Sequence, residues 1–536
     1  MTSTLAVALC DTEGAPIANA MVTVSGPTPG AGNTDDHGLL MLYKRAPGDY
    51  QATIVLPPAL DKRYKTPGKL SCSVGIDDLR VLSAILQRKP KIVSIDILDS
   101  GGRIAADNCI QWVNWNRDGR HPRLKVSFDQ PGAHRFAVQC LPGAANATYS
   151  AAEVRRNVRF RYQRAVKVYT TAANGTLVLP RADFPLTAAG NDSYVFRAMD
   201  INEVEVTSQR LQTRRLIYYV EIKMNGLAAA LSGHGAVARE FAKHGIQLLK
   251  LPSVNVPYLH NLGNAADVTR FEGLARSAYR NSFAVPKQPY ALAVAYTDHL
   301  AVINPNVLVT TPRIAVGPRR SSVVVAIVAP SLTSTALDVH PLCMDVDPRF
   351  DWFVSAIFIP DGSSRGTVIP KSACTPIPDD AGQPQVATKV SINVSQLTAG
   401  AGTIRLKVNV VDRMRSGIAS IGGNMICIAS RTWWENISDT ELVQTLTHEI
   451  GHMIGMVPNG VSGLDRTATW YDGQKGHVGN HCFKGLPATQ ARYDGNGDSD
   501  HSLCVMYGSD NDHSDFCSDC APAVRKLDLG DGWTPF

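Results

Sequence analysis

The chain has 536 residues, 44% hydrophobic and 19% charged, which excludes a disordered or collagen-like polymer and suggests several domains. Lys plus Arg number 53 against 47 Asp plus Glu, a formal charge of +6 with no block of like charges, which argues against a dedicated nucleic-acid binder. The longest apolar run, Val323 to Pro330, is far shorter than the ~18 residues of a membrane span and suits a buried strand.

Met1 to Cys10 has no basic residue ahead of its short apolar stretch, and Asp11 ends that stretch. A secretory signal needs a charged start and a longer apolar core. The expectation is a protein that stays in the cytoplasm or leaves by a route reading no such signal.

Residues 1–88 read as a small β domain, with apolar stretches at Leu5 to Leu9, Ala20 to Ser25 and Tyr50 to Leu56 between turn residues. The strings DTEGAPIANAMVTVSG (Asp11 to Gly26), DDHG (Asp35 to Gly38) and PGDY (Pro47 to Tyr50) resemble the transthyretin-like or carboxypeptidase-regulatory β-sandwich. That resemblance implies a spacer or docking unit. Residues 89–210 follow with six short strand signals: KIVSIDIL, RLKVSF, RFAVQC, NVRFRY, TLVLP and SYVFRAMD. Their regular spacing suggests an immunoglobulin-like sandwich. Trp112, Trp115, Cys109 and Cys140 have the wrong spacing for an antibody-type core and read as ordinary core residues.

From Leu211 onward strand and helix signals alternate, which predicts an α+β domain over 211–536. RRLIYYVEIKM is a strand, GAVAREFAKHG a helix closed by Gly245, and IQLLKL a strand. YALAVAYTDH, SSVVVAIVAP, WFVSAIFIP and TIRLKVNVV add buried strands.

The chemistry concentrates near the C-terminus. Six of the fourteen histidines lie between His448 and His513, and Cys482, Cys504, Cys517 and Cys520 are the last four of eleven cysteines. In SDTELVQTLTHEIGHMIG, Ser438 and Glu441 have capping-box spacing, so a helix begins there. Leu442, Leu446, Ile450 and Met453 give it a buried face, and Gly455 with Pro458 supplies stop signals. His448 and His452 stand one turn apart on one face, as two imidazoles must to share one Zn²⁺. Glu449 is then placed to take a proton from water on the metal. This is HExxH, the zincin signature.

The extended metzincin pattern fails here, because Pro458 occupies the position of its last histidine. His481 in GHVGNHC is the favoured third ligand, with His477 and the carboxylates Asp465, Asp472, Asp494 and Asp498 as alternatives. Water should hold the fourth position. YDGNGDSD lacks the glycine and glutamate of a calcium loop and reads as a surface loop. The four late cysteines read preferentially as two disulfides, implying an oxidising compartment, with a structural Cys₄ zinc site as the alternative.

HEIGHMIGMVP, GHVGNHC, CVMYG (Cys504 to Gly508) and FCSDC (Phe516 to Cys520), in that order, resemble zinc metallopeptidase domains of bacterial effectors, including those delivered with type VI secretion spike proteins. Weaker echoes lie in GNDSYVFRAMD and RRLIYYVEIKM. The resemblance implies a toxin made in the bacterial cytoplasm and secreted without a signal peptide, a protein or peptide substrate, and as partners a spike protein and an immunity protein. Met506 is similar to the methionine beneath the metal in metzincin-type sites, with a plain core methionine as the alternative. Tyr507 is the candidate oxyanion donor, with Tyr471, Tyr493 and His477 as rivals.

The expectation is a multidomain zinc metalloendopeptidase, two all-β sandwiches ahead of an α+β zincin-like catalytic domain. Glu449 and Tyr507 would be catalytic, and His448, His452 and His481 would hold the zinc. The rival readings are a zinc amidase cutting peptidoglycan, and a β-sandwich binding protein whose zinc is structural.

Overall fold

The computed structural model describes residues 3–113, 120–149, 151, 166–224, 234–257, 261–282, 291–332, 335–419, 425–432, 435–456, 477–478, 481–482, 504–506, 513–518 and 520–526. The chain is predominantly β, built from several sheets over separate hydrophobic cores. Among the described residues, no helix is long and apolar enough to cross a membrane.

Residues 3–86 form two sheets around one core. Strand Ser3–Asp11 pairs antiparallel with Leu39–Arg45 and parallel with Leu79–Leu86. Opposite it, Met21–Ser25 and Gly48–Val55 lie between Gly30–Asn33 and Leu70–Val74. Alternation does the work: Val22 and Val24 are buried while Met21, Thr23 and Ser25 face outward, as the two-residue period of a strand dictates. Asp11 is buried at the end of its strand. Its carboxylate accepts the Glu13 and Ala15 amides, closing the turn, and pairs with Arg88 at 2.9 Å.

The next unit packs Ile92–Leu98, Arg123–Phe128 and Thr176–Val178 over Arg135–Pro142 and Ser193–Asp200. NVRFRY and Trp115, expected in this unit, lie outside the described residues. Trp112 departs from its expected place: it alternates outward on strand Cys109–Trp112 and is exposed. Cys10, Cys72 and Cys109 are only partly buried, unlike Cys140, Cys343, Cys374 and Cys427.

Strand Leu211–Met224 serves two neighbourhoods. Its first residues pair with Ser193, Tyr194 and Cys109–Trp112. From Arg215 it pairs in parallel with Ile246–Val256 on one side, and from Tyr218 with Ala291–Thr297 on the other. Met425–Ala429 extends this parallel sheet, and Gly417–Ala419 ends it, antiparallel. Met425–Ala429 is buried at every position, as expected of a strand covered on both faces. Helices His234–Lys243, Ala265–Ser282 and Asp439–Gly451 share this core.

A separate body is inserted between Ala291–Thr297 and Gly417–Ala419. Leu300–Thr310 leaves and Gly400–Arg415 returns as an antiparallel pair, starting at Leu300 opposite Arg415. Together with Phe353–Pro360, Ser322–Ala326 and Lys389–Asn393 they enclose a core of their own. Of the four apolar strings read after Leu251, only YALAVAYTDH belongs to the parallel sheet.

Arg88 holds the Asp11 carboxyl down to about 2, against the opposing effect of burial. A carboxyl lowered in the folded state contributes fully above its ordinary value near 3.9, and the contribution is lost as pH falls from there toward 2. Hydrogen exchange over residues 3–86 should therefore quicken as pH falls from ~4 to ~2 beyond its intrinsic pH dependence. In Asp11→Asn this acid-dependent component should vanish, with faster exchange already at pH 6.

Candidate metal centre

Helix Asp439–Gly451 starts as its sequence dictates. The Ser438 hydroxyl accepts the Glu441 amide at 3.2 Å, and the Glu441 carboxylate accepts the Ser438 amide at 2.7 Å. Leu442, Leu446, Ile450 and Met453 are buried in the core of the parallel sheet. With that face committed, His448 and His452 converge on the adjoining face, Nε2 to Nε2 at 2.8 Å, their rings nearly perpendicular. A zinc ion bound to both at 2.0–2.1 Å would spread the two nitrogens to roughly 3.4 Å, a small ring adjustment.

His448 is held from behind. Its Nδ1–H donates to the Val505 carbonyl at 2.7 Å, which leaves Nε2 as the lone-pair nitrogen of the neutral ring. Burial lowers the His448 pKa, and the Val505 bond opposes this only in part. The neutral, ligating form is thus favoured.

Val505 sits in a short segment fixed on several sides. The Met506 carbonyl accepts the Cys482 amide at 2.9 Å, and the Val505 amide donates to Asp515 at 2.8 Å. Met506 is buried with Sδ against Gly451. A Cβ on Gly451 would stand 2.4 Å from that sulfur and 3.3 Å from the Phe516 ring. Met506 therefore lies against the helical turn that carries both histidines. Phe516 is tied in turn to helix His234–Lys243, through its amide to Glu240 at 3.2 Å and its ring to Phe241.

Glu449 packs against the last strand of the sheet. It is buried against Gly417, where a Cβ would stand 2.7 Å from its Oε1. Burial pushes its carboxyl up to about 8, opposed by the Arg415 guanidinium and by the Ala419 amide. The carboxyl is thus poised to exchange a proton near neutral pH.

The structure brings His448, His452 and Met506 together, with Glu449 on the same helix against the last strand of the sheet. His481 lies on a two-residue strand that pairs with His477–Val478, and the next residue, Cys482, is bonded to Met506. That places the backbone of the expected third ligand beside the segment under the helix. The His477 and His481 side chains, Tyr507, Tyr471, Tyr493, the four alternative aspartates and the YDGNGDSD loop lie outside the described residues. Sequence reading missed Val505, Gly451, Gly417 and Arg415. Only Val505 left a trace, as neighbour to Met506.

The four late cysteines depart from the disulfide expectation. All are buried thiols, their sulfurs lie within 4.8 Å of one another, and Cys482 and Cys517 are 3.8 Å apart. A disulfide needs ~2.05 Å between sulfurs and joins only two of them. Here all four converge on one point, an arrangement able to hold a metal ion.

No protein-family model matches the chain, and no curated protein matches it. Among solved structures it is similar to the Bacillus anthracis TIE protein, at 13% identity and a TM-score of 0.20 over 43% of this chain and 37% of that one. It is also similar to BcpA, the major pilin subunit of Bacillus cereus, at 12% identity and a TM-score of 0.23 over 42% of this chain and 73% of that one. The full-length major pilin SpaD of Corynebacterium diphtheriae gives 12% identity and a TM-score of 0.21 over 43% and 71%.

Gly451→Ala gains up to ~1 kcal/mol of helix propensity but forces a methyl onto buried Met506, which costs about 1–3 kcal/mol. A net loss is expected, read as a lower denaturation midpoint. Trimming the neighbour in Gly451→Ala/Met506→Ala should relieve the clash while opening a cavity, so the two changes should be non-additive.

Proposed function

We propose that this chain is a zinc-dependent metallopeptidase of the effector type, its centre built on His448, His452 and Glu449. The observation that carries the reading is the convergence of two imidazoles, Nε2 to Nε2, on the helix that also carries a buried carboxyl of raised pKa. His448 and His452 would hold Zn²⁺, with His481 as third ligand. The donor set fits: both rings aim Nε2 at one place, and the second nitrogen of His448 is occupied by a backbone carbonyl, as metal-ligating histidines require. A bound zinc ion supplies Lewis acidity, making a hydroxide nucleophile accessible at neutral pH.

The protein's own groups do the rest. Glu449 accepts the proton of the attacking water and delivers it to the departing amine nitrogen. Its raised pKa suits a group that must both take and give a proton. Ala419 and Gly417 hold that carboxyl against the terminal strand. Among the described residues, no strand pairs with the outer side of Gly417–Ala419. An extended peptide adding to that edge by backbone hydrogen bonds would run past Glu449 and the histidine pair, which favours a peptide over a glycan-linked amide. Tyr507, one residue beyond Met506, is the proposed oxyanion donor. On this reading the protein is made in the bacterial cytoplasm and delivered out of it. A secretion-spike protein and an immunity protein are its partners.

Glu449→Gln should lower kcat by about 10²–10⁴-fold while leaving bound zinc and thermal midpoint near wild type, measured on unfolded protein substrates and on purified sacculi. Retained turnover would overturn the assignment. Cleavage confined to sacculi would move the activity to the cell-envelope amidase class. His448→Ala should remove the zinc of this centre as well as the activity.

A further inference from the structure

Four cysteines able to ligate a metal cluster near the histidine pair, contributed by three separate pieces of chain. Cys482 ends the short hairpin, Cys504 immediately precedes Val505, and Cys517 and Cys520 precede helix Ala521–Lys526. All four belong to the core of the parallel sheet. Buried thiols packed only as small hydrophobes have no reason to aim their sulfurs at one another. These do so, every sulfur within 4.8 Å of every other.

The spacing is that of a coordination shell. Four thiolates around zinc at ~2.3 Å stand at the corners of a tetrahedron with edges of about 3.8 Å. The Cys482–Cys517 separation is 3.8 Å. The Cys517 amide donates to the Cys504 sulfur at 3.4 Å, the kind of bond that stabilises charge on a metal-bound thiolate. Four sulfurs in tetrahedral array select zinc or iron among common ions. Four protein donors also fill the shell, leaving no position for water, so such a site is structural.

We propose that Cys482, Cys504, Cys517 and Cys520 bind one zinc ion, and that this ion clamps the Val505–Met506 segment onto helix Asp439–Gly451. Cys504 is covalently next to the carbonyl that orients His448, and Cys482 is bonded through its amide to Met506. On the far side Cys520 leads into a helix held by the body of the protein. There Arg215 donates to the Val524 carbonyl, and Arg525 pairs with Asp192 at 2.6 Å. The ion thus ties the support of the histidine pair to the main sheet, and it does so whatever reaction the histidines perform.

The test uses the full-length double variant His448→Ala/His452→Ala, which removes any metal of the histidine centre. Purified without chelator, it should retain about one zinc per chain. Loaded with cobalt(II) instead, it should show thiolate-to-cobalt charge transfer and the d–d bands of a tetrahedral ion, abolished or shifted in Cys517→Ser. Because Cys517→Ser could unfold, thiols are also counted on the denatured double variant without reductant, where all eleven cysteines should react. Four fewer thiols would mean disulfides and overturn the proposal, as would the absence of both zinc and cobalt bands. Stripping the ion should quicken hydrogen exchange across residues 439–451 and 504–506. Unchanged exchange after stripping would refute the clamp. Loss of peptidase activity alone bears on the histidine centre and on none of these outcomes.

Discussion

The 2.7 Å hydrogen bond from His448 to the Val505 carbonyl joins two stretches of chain far apart in sequence, and the candidate centre depends on it. An imidazole on a helix surface samples several rotamers and both neutral tautomers. One backbone acceptor, held in place by buried neighbours, removes that freedom and leaves Nε2 facing His452. The acceptor must itself be rigid, and here the rigidity is layered. Met506 packs into the space left by Gly451, the Val505 amide is bonded to Asp515, and Phe516 is bonded to Glu240 on another helix. The histidines supply the donor atoms, while the glycine, the methionine and the carbonyl fix where those atoms point.

Much of this was legible in the sequence because its signals were local. Ser438 and Glu441 announce a helix start through a reciprocal bond within three residues, and the four-residue spacing of His448 and His452 fixes their common face. The N-terminal strands were legible for the same reason, since alternation records which face is covered. What escaped were relations between distant segments. SSVVVAIVAP reads as a buried run, yet Val324 is exposed, because the run is two half-covered strands broken at Ile327. Apolar side chains on an outer face look the same in sequence as those in a core. The inserted body was hidden by that ambiguity.

The cysteines show the opposite failure. Their number and clustering were plain, but pairing two by two and meeting four at a point require the same residues. Only distance separates the cases: about 2 Å for a disulfide against 3.8 Å observed. Gly417 was equally silent, a glycine whose missing side chain matters because Glu449 occupies the space.

The inserted body also bears on how the parallel sheet is assembled. The Thr297 and Ser416 carbonyls accept the amides of two consecutive residues, Ser430 and Ala429, at the end of strand Met425–Ala429, although roughly 120 residues separate them. Joining them through an unfolded connection would carry the loop-closure entropy of that whole length. Once Leu300–Thr310 has paired with Gly400–Arg415, the effective connection shrinks to a few residues, and by the logarithmic dependence on length the entropic cost falls by about 2–3 kcal/mol. The insertion's own pairing therefore favours an order of events in which it folds early. The parallel sheet then closes across a gap already spanned.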